Sequence, residues 1–184
     1  MKYDINGEIK THKSEKEEIL TRIHKSIETT TDTLGNPIDD GIKESVIMFN
    51  VHGLRTIQSC EGHPDEFHTA QYTPARGPWI EVYPEEPKQE RWQDNDRLRE
   101  NVEREGGMYR VKAIDLLNKF YKHRTVPYDV MLGINSIAYG FKVQSNGLET
   151  LQFLTKEKKM EKEKLYKKEM RDFTEFLKKD FLMN

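Results

Sequence analysis

The sequence predicts an α+β protein: a small, mostly antiparallel sheet covered by helices, with a long charged C-terminal helix. Three observations carry this. Runs rich in β-branched and aromatic side chains occur in two separate regions, LRTIQSC followed by PWIEVY, and later VPYDVMLGINSIAYGFKVQS. Apolar residues at spacings of three and four fill the stretches around them, as amphipathic helices require. Strands and helices do not alternate strictly, which disfavours a parallel doubly wound sheet and favours helices laid on an antiparallel one.

Taken in order, Asn6-Gly7 lies between two short alternating runs in KYDINGEIKT, which predicts a small hairpin, because Asn-Gly readily takes the positive φ angles of a type I′ turn. Ser14 followed by Glu17 reads as a capping box, and Ile19, Leu20, Ile23 and Ile27 follow at helical spacing, so a helix is expected from about residue 15 to 33, stopped by Leu34-Gly35-Asn36-Pro37. Asp39 or Asp40 can cap a second helix with Ile42, Val46, Ile47 and Phe49 on its apolar face, and Gly53 can end it in the left-handed conformation. LRTIQSC and PWIEVY are the first two sheet strands. Residues 87–105 read as an exposed charged helix broken by Gly106-Gly107. Val111, Ile114, Leu117 and Tyr121 then give residues 108–122 an inward face. Residues 126–145 predict a hairpin turning at Gly133–Ser136, and residues 148–182 a final helix.

These elements suggest an α+β domain over 1–147 and a C-terminal helix over 148–184 that packs on the domain or on a partner subunit. The final helix is nearly all charge in its middle, while Tyr166, Met170, Phe173 and Leu177 form one stripe toward its end, with Phe181 a turn further. Such an end must be buried, by its own domain or by a second copy; in the latter case a homodimer with a twofold axis is the simplest closed arrangement.

Composition narrows the function classes. The chain has 184 residues, a length for one domain, and a formal net charge of -2, which favours neither nucleic acid nor anionic membranes. The eight Lys and Arg between 156 and 171 are interleaved with Glu157, Glu161, Glu163, Glu169 and the adjoining Asp172, the pattern of a solvated helix with i,i+4 ion pairs rather than a nucleic-acid surface. No apolar run is long enough to cross a membrane, and MKYDINGEIK lacks the apolar stretch of a signal peptide. A single cysteine, Cys60, cannot form an internal disulfide, so a cytoplasmic setting is expected. The richness in Lys, Glu, Ile and Asn fits an AT-rich bacterial or phage genome.

The candidate site is TIQSCEGHPDEFHTAQ, where Cys60, His63 and His68 gather with Glu61, Asp65 and Glu66. Several readings use the same residues. Cys60, His63 and His68 could ligate zinc, since a turn through Gly62 can aim Cys60 and His63 at one point, with Glu81 from PWIEVY as a fourth ligand if the two strands pair. Alternatively Cys60 could be a nucleophile with His63 or His68 as base and Asp65 or Glu81 orienting the imidazole, although Glu61 disfavours a thiolate. In a third reading Cys60 is a small buried hydrophobe at a strand end and the loop merely turns the chain. In a fourth, Arg55, Gln58, His63 and Glu81 offer hydrogen bonds to a small ligand, with Trp79 and Tyr72 as stacking surfaces. His52, at a helix end, suits a structural role as a cation at the negative end of the dipole. The resulting function classes are a metal- or thiol-dependent hydrolase and a non-enzymatic dimeric binding or regulatory protein.

The order of Ser59-Cys60-Glu61-Gly62-His63, the strand Pro78-Trp79-Ile80-Glu81, and a charged helix with Phe173 and Phe176 resembles a group of small bacterial and phage proteins. The resemblance spans most of residues 40–182 and implies no particular activity, since that group has no established function. Ser59, Cys60 and Gly62 are also similar to the S-S-C-S-G pattern of the tRNA wybutosine methyltransferase family. Glu61 and His63 depart from that pattern, so its substrate and cofactor do not carry over.

Overall fold

The computed structural model describes residues 5–31, 35–62, 77–89 and 91–183. Its architecture is α+β: a four-stranded antiparallel sheet with helices packed on one face and a long C-terminal helix.

Helix α1 (Ile5–Glu28) runs straight through Asn6-Gly7, so the expected hairpin does not form over the described residues. An isolated two-stranded hairpin has little stability of its own, whereas extending an existing helix adds a bond for every residue ordered. The helix also stops short of residue 33. The Thr29 and Thr30 hydroxyls donate back to the Ser26 carbonyl, which satisfies the last turn locally. A connection then follows in which Thr31 pairs with Pro37 and Gly35 takes a φ of 85°.

Helix α2 (Asp40–Val51) buries Ile42, Val46, Ile47 and Phe49, the face expected, and Met48 as well. It ends where Gly53 takes a φ of 69°, with the Leu54 N–H donating to the Phe49 carbonyl. Strand β1 (Thr56–Cys60) then pairs antiparallel with β2 (Trp79–Val82).

Helix α3 (Asp96–Tyr121) follows one 3-10 turn, and its Asn95 cap accepts from the Leu98 N–H. It does not break at Gly106-Gly107. A Cβ at Gly106 would lie 2.0 Å from the Tyr139 carbonyl oxygen, so this glycine admits the neighbouring hairpin rather than ending the helix. The inward face also differs from expectation. Val102, Ala113, Leu116 and Leu117 are buried, while Val111 and Ile114 point outward.

Strands β3 (Leu132–Ile137) and β4 (Gly140–Ser145) form the hairpin, and its turn is Ala138-Tyr139 rather than Gly133–Ser136. Gly133 lies inside the strand instead, and a Cβ there would require the Asn146 side-chain amide to shift. The sheet order is β1-β2-β4-β3.

A 3-10 segment (Leu148–Phe153) leads into helix α4 (Lys156–Met183), so only the later part of 148–182 is α-helical. Its stripe Tyr166, Met170, Phe173 and Leu177 is buried within the same chain. Phe173 meets Phe49 edge-on at 6.0 Å and Phe120 at 5.2 Å. Two buried polar contacts help fix the register of α4 on α2: Ser45 and Thr174 hydroxyls at 2.7 Å, and His52 Nε2 donating to the Leu177 carbonyl at 2.9 Å. The stripe that suggested pairing with a second copy is therefore covered by its own chain, while Leu182 and Met183 beyond it stay exposed. Burial also pulls the His52 pKa below its ordinary value, so this residue serves as a neutral donor rather than as the expected cation. Among the described residues no helix is long and apolar enough to cross a membrane.

Candidate functional site

The sheet places the candidate residues by simple alternation. Residues directly opposite on neighbouring strands share a face. Ser59, Ile80, Val143 and Ile134 form one transverse row, in which Ile80 and Val143 are fully buried, and this row faces the helices. The next row, Gln58, Glu81, Lys142 and Asn135, lies on the opposite face. Cys60, Trp79, Gln144 and Gly133 form a second row on that face.

β1 and β2 are neighbours, so Glu81 and Cys60 do lie on one face, on adjacent strands. The Glu81 carboxylate turns toward β4, where Lys142 Nζ stands at 4.0 Å. The same ammonium sits 4.0 Å from the centre of the Trp79 ring, a cation–π geometry. Glu81 has only 12% of its side chain exposed and Lys142 26%, so this pair is partly withdrawn from water. Gln144 beside them is buried and donates to Glu149 at 3.4 Å.

Arg55 is not part of this group. Its guanidinium donates to the Tyr83 and Pro84 carbonyls, at the end of the β1–β2 pair opposite to Cys60. It closes the strand pair rather than facing the loop.

The residues after Cys60 hold the fold together. The Glu61 carboxylate accepts the Gly41 N–H at 2.7 Å, taking up one of the open donors at the start of α2. The Glu61 N–H in turn donates to Asp39 Oδ2. Gly62 takes a φ of 80°, and a Cβ there would lie 2.6 Å from Gly77 Cα, so the two ends of the intervening segment meet backbone to backbone. Lys167 on α4 donates to the Gly62 carbonyl at 2.8 Å.

Cys60 itself is half-buried, and its Sγ accepts the Gly62 N–H at 3.3 Å. Burial pushes the thiol pKa up, the Gly62 hydrogen bond acts against this, and the Asp39 and Glu61 carboxylates add to the rise. A raised thiol pKa leaves less of the thiolate that a nucleophile needs. Among the described residues no group of three or more His, Cys, Asp and Glu side chains comes together as a metal would require. His63 and His68, and with them Asp65, Glu66 and Tyr72, lie outside the described residues.

Lys142 and Gln144 escaped the sequence reading. Their signal is the alternation in GFKVQS, where they interleave with buried Phe141 and Val143, but only the strand order shows that they stand beside Glu81 and Trp79. Nothing in the sequence points to Lys167 as a partner of Gly62. The chain matches no protein-family model, no curated protein and no solved structure.

Proposed function

We propose that the chain is a non-enzymatic binding or regulatory protein whose ligand is a small planar polar molecule held on the outer face of the sheet. One observation carries this reading: the in-register row Gln58, Glu81 and Lys142, with the Trp79 ring against Lys142. It supplies an amide, a carboxylate, an ammonium and an aromatic surface within one small area, the mix that orients a planar ligand. The thiol at its edge is held protonated, which supports a structural role for Cys60 beside the ligand rather than chemistry on it.

Thermal unfolding of the protein with nucleosides, amino acids and small carboxylic acids tests the proposal. A ligand present at about 100 times its Kd stabilises by about 2.7 kcal/mol, a rise in midpoint of roughly 5–10 °C for a chain of this size. The rise should vanish in Trp79→Ala and shrink in Glu81→Gln. An equal rise in Trp79→Ala, or no response to any compound, would sink the proposal. Elemental analysis separates it from the hydrolase reading: stoichiometric zinc that disappears in both Cys60→Ala and His63→Ala would replace it with a metal site at Cys60, His63 and His68.

A further inference from the structure

The outward face of α3 is the most conspicuous surface that the candidate site leaves unused. Successive helical residues turn by about 100°, so the side centred on Val111 lies opposite the buried Val102, Ala113, Leu116 and Phe120 side. On that outer side Met108, Val111 and Ile114 are 66%, 69% and 44% exposed. Gly107 flanks them, and nothing lies within 4 Å of where its Cβ would be, so another backbone can approach closely. A contiguous apolar stripe on an otherwise charged helix marks an interaction surface.

We infer that this face docks on the same face of a second copy of the chain, with the two α3 helices antiparallel about a twofold axis beside Val111. The charge pattern selects this occupant. In such a pairing each residue meets the one equally far on the other side of Val111. Met108 then packs on Ile114, Gly107 receives Asp115, and exposed Glu100 at one end meets exposed Lys122 at the other. Glu103 and Lys119, which within one chain pair with Arg99 and Asp115, match in the same way along the flank. A parallel pairing would instead set Glu100 against Glu100 and Lys122 against Lys122. The potential like-charge clash, Arg110 against Lys112, is avoided because Arg110 turns inward to donate to the Gly140 carbonyl and both residues lie to the side of the stripe. The surface is thus self-complementary in sign, as a twofold contact demands. It lies on the helical side of the sheet and is independent of the Trp79 face.

A single helix pair is a small interface, so a weak dimer with Kd of roughly 10–100 µM is expected. Sedimentation equilibrium from about 5 µM to about 1 mM reads it. The molar mass should rise from that of the 21.8 kDa chain toward twice that value. Val111→Glu, at an exposed site, should keep the circular dichroism spectrum and remain monomeric throughout. Glu100→Lys should weaken the dimer roughly ten-fold, because two pairs change from attraction to repulsion, and adding Lys122→Glu should restore it. A mass that stays monomeric in the unmodified protein overturns the inference. So does a dimer indifferent to Val111→Glu, or a Glu100→Lys defect that Lys122→Glu fails to repair.

Discussion

Gly106 and Gly107 are adjacent in one helix, yet their replacement by alanine should have opposite effects. In an open helical site the change removes backbone freedom from the unfolded chain and gains about 0.5–1 kcal/mol. Gly107 is such a site, so Gly107→Ala should stabilise the dilute protein by that amount in urea unfolding. At Gly106 the added methyl would meet the Tyr139 carbonyl at 2.0 Å, so Gly106→Ala should destabilise by about 1–3 kcal/mol. His52 makes a second prediction at this scale. Its ring is neutral in the fold, and burial holds its pKa below the ordinary value of 6.5, with the Leu177 carbonyl and Asp180 opposing and Lys112 and Lys119 reinforcing the effect. The unfolded chain therefore takes up this proton first as pH falls below 6.5. The stabilisation is complete above that pH and is lost as pH drops through the folded value. The unfolding midpoint should decline as pH falls below 6.5, and His52→Gln should flatten that decline. The sequence marked both glycines and this histidine as special. It could not say that one glycine faces a carbonyl and the other open space, because that depends on a hairpin some thirty residues away.

At the scale of elements, α3 shows why helical periodicity is an incomplete guide. Val111 and Ile114 fit an apolar stripe as well as Ala113, Leu116, Leu117 and Phe120 do, and the spacing rule cannot rank two stripes on one helix. The buried one is chosen by partners: Phe120 packs against Phe173 and Phe176 of α4. The join between the two helices is also polar. Tyr121 donates to Glu169 and accepts the Leu132 N–H, while Arg124 binds both Glu169 and Asp172. The Glu169 side chain is only 3% exposed, and the Arg124 guanidinium is its charged partner. Arg124→Ala would leave a buried carboxylate with only the Tyr121 hydroxyl, and should cost about 3 kcal/mol in denaturant unfolding. Arg124→Lys keeps the charge without the fork geometry and should recover part of that loss.

Across the whole molecule, the sheet order sets where the fold should be most resistant. β2 and β4 are central and paired on both sides, and their Ile80, Val82, Phe141 and Val143 lie in the main core. Native-state hydrogen exchange should therefore be slowest in β2 and β4, and faster at the outward-facing amides of the edge strands β1 and β3. Equal protection in all four strands would contradict this order. The sequence by itself determined the α+β class, the cores of α2 and α4 and the first two strands. These rest on local signals, since alternation, helical spacing and a lone Gly with positive φ are written in neighbouring residues. Only the tertiary structure decided the rest: the continuation of α1 through Asn6-Gly7, the turn at Ala138-Tyr139, the burial of the α4 stripe in its own chain, and the meeting of Trp79, Glu81 and Lys142 on one face. Those outcomes depend on contacts between residues far apart in the chain, where the free energy of burial and the pairing of strands outweigh local preference.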